Sequence, residues 1–394
     1  MLYNLHTQDT ATVLAIQAAV PIGESSLISC CCDLLIVFLL NLIILNYFDV
    51  VQKELIMRVF VTGGAGYIGS HTCIELLHAD YELTVIDNLN NSKHESLRRV
   101  EKLTGKTLDF YETDLLDTAG LAAAFEANPP AAVIHFAAYK AVGESVQKPL
   151  EYYQNNVAGT INLLDVMRKH ECKNLVYSSL CTVYGEPQQT PITEEHPTSA
   201  AESPYGWTKL MTEQIMSDLY KSDPAWNLIL LRYFNPVGAH ASGEIGEDPN
   251  GIPSNLMPYI TQVAIGRLKE LHVFGNDYPT SDGTGVRDYI HVVDLADAHV
   301  RAVQKLADNP GFVAYNLGTG RGYSVLEVIT AFEQATGQKV PYKIVDRRPG
   351  DVSAAYADPS KAARELAWKA EHDIFDICRD GWNWQQKNPN GFVE

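Results

Sequence analysis

The chain has 394 residues, 46% of them apolar and 20% charged, with a formal charge of −18 at pH 7. That length supports one large α/β unit carrying a smaller lobe better than two equal domains. An acidic surface repels a phosphate backbone, which excludes a nucleic-acid partner, so any anionic ligand must be met by arginines and lysines at specific points.

The first 52 residues contain no Lys or Arg, and Leu34–Leu45 is strongly apolar, interrupted by Asn41. About 12 residues fall short of a membrane-spanning helix. Extending the run to Leu27 brings in Asp33, which is costly in a bilayer. The basic stretch that opens a secretory signal is missing. A signal anchor would leave Lys53 and Arg58 on the cytoplasmic side, and a soluble accessory helix is a second reading. The reading adopted is that residues 1–56 are an extension outside the fold and that the working start is Met57. No membrane partner is expected unless the extension is real.

From Met57 the pattern is regular. Arg58–Thr62 reads as a strand, followed by a glycine turn and a helix over Ser70–Ala79. Leu83–Asp87, Asp109–Glu112 and Ala132–Phe136 continue as strands, with an Ala-rich helix over Gly120–Asn128. Leu175–Ser179 and Asn227–Tyr233 complete the series. Strands alternating with helices predict a doubly wound parallel sheet. After Asn235 the chain turns rich in Gly, Pro, Asn and Asp through Pro258. Shorter elements follow, including a strand over Leu271–Phe274 and a helix over Ser324–Thr336. This predicts a nucleotide-binding domain over residues 57–235 and a smaller C-terminal α/β substrate lobe made mainly of residues 236–394.

Gly63, Gly66 and Gly69 stand directly after a strand and before a helix, the context in which a glycine triplet holds a dinucleotide pyrophosphate (the Rossmann arrangement). The helix N-terminus adds amides and a positive dipole. Asp87 ends the next strand, roughly 20 residues further on, where an acid accepts from the adenosine ribose hydroxyls and repels a 2′-phosphate; NAD is therefore expected over NADP. Asp114 follows a later strand and is placed to meet the adenine. The seven cysteines form no CxxC pair and no zinc-like Cys/His spacing, so no metal is expected, and their scatter suits a reducing, cytoplasmic setting.

Tyr205 and Lys209 share one face of a predicted helix as an i, i+4 pair, about 6 Å apart along its axis. A free tyrosine has a pKa near 10. An adjacent ammonium and a positive nicotinamide both favour the phenolate, making Tyr205 a candidate base.

With these motifs in hand, the chain from Met57 onward resembles the UDP-glucose 4-epimerases of the extended short-chain dehydrogenase/reductase family. The resemblance is carried by VFVTGGAGYIGSHT, the Asp87–Asn88 pair, HFAAYKAVGESV, YYQNNVAGT, TVYGEP, SPYGWTK, LRYFNPVGAH, GIPSNLMPYI, DGTGVRDYIHV and YNLGTGRGYSV. It implies NAD held permanently in the site, a UDP-hexose gripped by the C-terminal lobe, and a homodimer. It implies that Tyr205 exchanges a proton with the sugar 4-OH while C4 is oxidised to a transient 4-keto sugar and reduced on the other face, interconverting UDP-galactose and UDP-glucose. Lys209 would hold the nicotinamide ribose. Tyr67, Ile68, Asn88, Asn91, Ser92, Leu115, Phe136, Lys140, Tyr233 and Phe234 fall where the family contacts its cofactor. Ser178, Asn235, Asn255, Arg287, Tyr289, Arg348 and Asp351 fall where it contacts the nucleotide-sugar. Ala355 falls where a bulky residue confines the family to glucose and galactose and a small one admits an N-acetyl group.

One departure matters. The family carries Ser or Thr at position 180, its hydroxyl bridging sugar and tyrosine, whereas here the run is Ser178-Ser179-Leu180-Cys181-Thr182. Losing one positioned hydroxyl costs on the order of 10²–10³ in rate, and Ser179, Thr182 or a water are the candidate substitutes. Trp207 replaces a commoner Lys or Arg and is expected on the helix surface. Two rivals stand beside the epimerase reading. One is a nucleotide-sugar dehydratase or UDP-glucuronate epimerase, although dehydratases need an Asp-Glu pair where Cys181 and Thr182 stand. The other is a catalytically impaired regulatory protein that binds NAD and UDP-sugar.

Overall fold

Alternation within the strands decides the architecture. The structure, a computed structural model, describes residues 57–198, 201, 203–348 and 351–393. The chain divides into Met1–Ile56 and Met57–Glu394, and the apolar run Leu34–Leu45 lies outside the described residues.

The first strand, β1 (Arg58–Thr62), sends Val59 and Val61 into one apolar cluster and Phe60 into another. A strand buried on both faces is the mark of a parallel sheet covered by helices. Helix α1 (Tyr67–His78) follows, then β2 (Glu82–Asp87), α2 (His94–Thr104), β3 (Asp109–Glu112), α3 (Thr118–Ala127) and β4 (Ala132–His135). Next come α4 (Val142–Gln147) and a continuous helical stretch. That stretch is α5 (Pro149–Tyr152), a π-helical segment (Tyr153–Ala158) and α6 (Gly159–Lys169). β5 (Asn174–Leu180), α7 (Pro204–Ser222) and β6 (Asn227–Tyr233) close the first half.

The large sheet has seven strands, and β1 to β6 lie in the order β6-β5-β4-β1-β2-β3. The order reverses between β1 and β4, and a dinucleotide binds at such a switch point, beyond the carboxyl ends of the strands.

The second half builds a smaller lobe and then returns. β7 (Asn235–Val237), α8 (Leu256–Ala264), β8 (Leu271–Phe274) and β9 (Val286–His291) come first. α9 (Val292–Lys305) then packs on α1, and β10 (Phe312–Leu317) pairs in parallel with β6 as the seventh strand. β11 (Gly322–Ser324), α10 (Val325–Thr336), β12 (Tyr342–Val345), β13 (Ala354–Ala355), α11 (Ser360–Glu365) and α12 (Ile374–Lys387) complete the chain. β9 is the hub of a second sheet, pairing with β7, β11 and β13. A separate core of Met257, Ile260, Val273, Phe332 and Ile377 fills this lobe. Residues 292–317 thus serve the large sheet although they follow residue 235. FVAYNL is too short a run for its sequence to announce which sheet it joins.

Candidate active site

The glycine turn is fixed by steric demands. Gly63 has a φ of +73°, and a Cβ there would lie 2.7 Å from the Ala137 amide nitrogen at the end of β4. A Cβ on Gly69 would come within 2.3 Å of the Gly63 carbonyl oxygen, so α1 could not approach β1 with any other residue there. Gly66 caps α1 without a side-chain partner for the first-turn amides. Tyr67 and Ile68 therefore open the helix with N–H groups available to an anion. The Tyr67 hydroxyl donates to the Gly238 carbonyl, 2.7 Å away, pinning the turn to the segment after β7.

Asp87 ends β2 as expected. Its carboxylate accepts from the Ala65 and Leu89 amides at 3.0 and 2.9 Å and from the Ser92 hydroxyl at 2.9 Å. Burial pushes its pKa up while these donors pull it back. Oδ1 takes two of these donors and Oδ2 one, so Oδ2 retains a lone pair for a ribose hydroxyl. Asn88 donates to Asp114 at 2.7 Å, joining the ends of β2 and β3. Leu115 is buried and Asn91 is exposed. Phe136 lies against the buried His299 ring, 4.7 Å between centroids. The turn, the available helix amides and the acid at the end of β2 together fit a dinucleotide.

Helix α7 carries the candidate base. Ser203 caps it by accepting from the Gly206 amide, and Pro204 occupies the first turn, where a missing N–H costs nothing. Tyr205, Lys209 and Glu213 recur every four residues and form one buried face against β5 and β6. Lys209 donates to the Ser178 carbonyl at 2.7 Å and lies 4.9 Å from the Tyr177 ring centre. Glu213 pairs with Arg232 at 2.6 Å and accepts from the Ser179 hydroxyl. The Ser178 hydroxyl shares a hydrogen bond with the Tyr233 hydroxyl. Burial pushes the Tyr205 phenol well up and the Lys209 ammonium down to about 7. Lys209 alone therefore does not offset the burial of Tyr205.

Leu180 ends β5 and packs against the large apolar cluster. Neither named hydroxyl is hydrogen-bonded to Tyr205 among the described residues. Ser179 is committed to Glu213, two helical turns from Tyr205 and about 12 Å along the axis. Thr182 is exposed. Trp207 does lie on the helix surface, 37% exposed.

The nucleotide-sugar candidates gather on β9 and the strands beside it. Asn235 is in register with Tyr289, and Ala355 with Arg287. The Asp351 carboxylate lies 3.5 Å from Arg287 and accepts from Arg348 at 3.1 Å, so it holds both guanidinium groups together. Two such forks match phosphate oxygens. Phe234 and Ala355 share a small apolar cluster with Val183 and Tyr184, and Cys181 packs against it. Asn255 is held by a different partner. Its amide donates at 2.8 Å to Glu247, which also receives Lys140 at 2.9 Å.

Three supporting residues escaped the sequence reading. Asp288, fully buried, accepts from the Thr319 amide and hydroxyl, the Gly320 amide and the Ala357 amide, tying the turn after β10 to β13. Asn156, in the π segment, binds the Tyr139 backbone on both sides and donates to the Thr208 hydroxyl. It thereby couples the Lys140 loop to the helix of Tyr205. Glu247 is the third. Asp288 sits inside the quoted DGTGVRDYIHV and Asn156 inside YYQNNVAGT, but no spacing rule marks a buried clamp.

The family model described as GDP-mannose 4,6 dehydratase matches residues 60–381. The Asp-Glu pair of a dehydratase is missing, since Cys181 and Thr182 stand there. UDP-glucose 4-epimerase of Bacillus subtilis (strain 168) is 59% identical over 336 residues, covering 85% of this chain and 99% of that protein. The chain belongs to the UDP-glucose 4-epimerase family. The Homo sapiens UDP-glucose 4-epimerase is 58% identical over 341 residues, 85% of this chain and 98% of that protein. The crystal structure of UDP-glucose 4-epimerase from Bifidobacterium longum in complex with NAD+ and UDP superposes with a TM-score of 0.83 at 56% identity. It covers 85% of this chain and all of that one.

Proposed function

We propose that this chain interconverts UDP-galactose and UDP-glucose through a transient 4-keto sugar, using NAD that stays bound. The observation that carries the reading is the single buried face of Tyr205 and Lys209, set below the carboxyl ends of β5 and β6 and anchored to Ser178. NAD, when bound, would supply the hydride acceptor for sugar C4 and the donor for its return to the opposite face. Tyr205 removes the proton of the 4-hydroxyl and later returns it. Lys209 holds its own position through Ser178 and offers its remaining hydrogens to the nicotinamide ribose. Arg287 and Arg348 neutralise the diphosphate, and Asp351 keeps their forks aligned. Purified protein given UDP-galactose without added NAD is expected to form UDP-glucose. Leu180 favours a second reading, an impaired binder of both ligands, and protein that binds UDP and NAD without forming product establishes it.

Substrate range follows from Ala355. Its methyl group faces the cluster of Phe234 and Val183, where a tyrosine would fill the space beside Arg287. UDP-N-acetylglucosamine is expected to be accepted by the wild type and rejected by Ala355→Tyr, with UDP-glucose turnover kept. Equal exclusion of the N-acetylated sugar by both proteins sinks this reading.

We also read the chain as a cytoplasmic homodimer. The described cysteines Cys73, Cys172, Cys181 and Cys378 are free thiols, which suits a reducing compartment. Among the described residues no helix is long and apolar enough to cross a membrane. Trp207 and Met211 on α7 and Ile161 on α6 expose 37%, 40% and 46% of their surface. Trp207 and Met211 share a helix face. A second copy would cover such a face. Sedimentation is expected to give the dimer mass for the wild type and the monomer mass for Trp207→Glu/Met211→Glu; a monomeric wild type at micromolar concentration contradicts this.

A further inference from the structure

Glu247 is buried between two ligand sites and belongs to neither. Its side chain is 7% exposed, and Oε2 has no hydrogen-bond partner among the described residues. Oε1 takes two donors, Lys140 Nζ at 2.9 Å and Asn255 Nδ2 at 2.8 Å. The family resemblance gives Lys140 to the cofactor and Asn255 to the nucleotide-sugar. The backbone around Glu247 is fixed from both directions. The Trp384 indole donates to the Glu247 carbonyl at 3.1 Å, and the next residue, Asp248, takes Lys93 at 2.9 Å and the Phe392 amide at 3.0 Å. Lys93 directly follows Ser92, whose hydroxyl binds Asp87.

We infer that Glu247 is a positioning residue that couples cofactor retention to nucleotide-sugar binding through the one oxygen shared by Lys140 and Asn255. An ammonium has three donors, and a carboxamide has two donors and an acceptor, so each partner can keep Glu247 and still face a ligand. A buried carboxylate with one unpartnered oxygen depends on both donors for its compensation, so neither is released without cost. A ligand that fixes Lys140 therefore fixes Oε1 and presents Asn255 already oriented. The ordering cost falls on the first ligand and the second binds more tightly. Coupling of this kind is reciprocal: UDP must slow the loss of NAD if NAD tightens UDP.

This inference rests on the epimerase reading, and the test separates the two. NAD release from the full-length, NAD-loaded protein is followed by the nucleotide recovered in filtrate over time, with and without saturating UDP. UDP affinity is measured on the same samples by calorimetry. UDP is expected to slow release from the wild type by about fivefold or more, and from Glu247→Ala by less than about twofold. Glu247→Gln keeps an acceptor for Asn255 but loses the charge facing Lys140, so its response falls between. A purely structural role would speed NAD loss equally with and without UDP and leave the ratio unchanged. An unchanged ratio in Glu247→Ala, or in Glu247→Gln if the alanine variant does not fold, overturns the inference alone. A wild type that binds neither NAD nor UDP overturns the functional reading beneath it.

Discussion

Tyr205→Phe is expected to lower turnover of UDP-galactose by about 10³-fold, with NAD content unchanged and UDP affinity within about twofold. The ring is retained, so the packing of Tyr205 against Tyr152, 6.4 Å between centroids, survives. What is lost is the proton acceptor. Burial pushes the Tyr205 phenol up, and burial also pushes the Lys209 ammonium down to about 7. The protein by itself thus favours a neutral phenol. Bound NAD would add a positive field beside the phenol, which would tie the base to the oxidised cofactor. A base of this kind acts when deprotonated, so wild-type turnover climbs with pH and then levels. The residual rate of Tyr205→Phe should lack that limb. Steady-state kinetics across pH check both, and a variant that keeps the wild-type rate and limb removes Tyr205 from the chemistry.

Leu180→Ser is expected to raise turnover, by about 10- to 100-fold, part of the 10²–10³ that a positioned hydroxyl contributes. The gain should appear in kcat more than in KM, because the hydroxyl acts on the oxygen that gives up its proton. The same change removes apolar contact from the cluster at the end of β5. A half-buried leucine contributes roughly 1 kcal/mol there, so thermal stability should fall while activity rises. Of the two neighbouring hydroxyls, Ser179 is bound to Glu213 and Thr182 is exposed. Turnover that does not change in Leu180→Ser shows that another group already performs this step.

The fold was legible where periodicity and punctuation agreed. Arg58–Thr62 and Asn227–Tyr233 occupy the predicted strand positions because burial on both faces leaves a continuous apolar run, whereas Asp109–Glu112 and Leu271–Phe274, partly exposed, occupy theirs at sheet edges. The helix predicted from Ser324 starts one residue later, since Ser324 is its cap, in a capping box with Glu327. β10 was not foreseen as part of the large sheet, nor α9 as a helix covering it. Their residues are ordinary in pattern, and long-range pairing alone places them beside β6 and α1. The candidate site divides in the same way. Gly63, Asp87, Tyr205 and Lys209 carry their chemistry in type and spacing. The clamp formed by Asp351 on Arg287 and Arg348, and the sharing of Glu247 by Lys140 and Asn255, join residues far apart in the chain. No local rule reaches them. Leu180 was visible at once as a departure, but the commitment of Ser179 to Glu213 became evident only with α7 in place.

The most direct measurement is conversion of UDP-galactose in D₂O, with the product analysed by proton NMR. Oxidation and reduction at C4 by a bound cofactor, with Tyr205 handling only the hydroxyl proton, predict UDP-glucose with no deuterium on any sugar carbon. Deuterium at C4 or C5, or a product that is not UDP-glucose, would contradict inversion at C4 by this route.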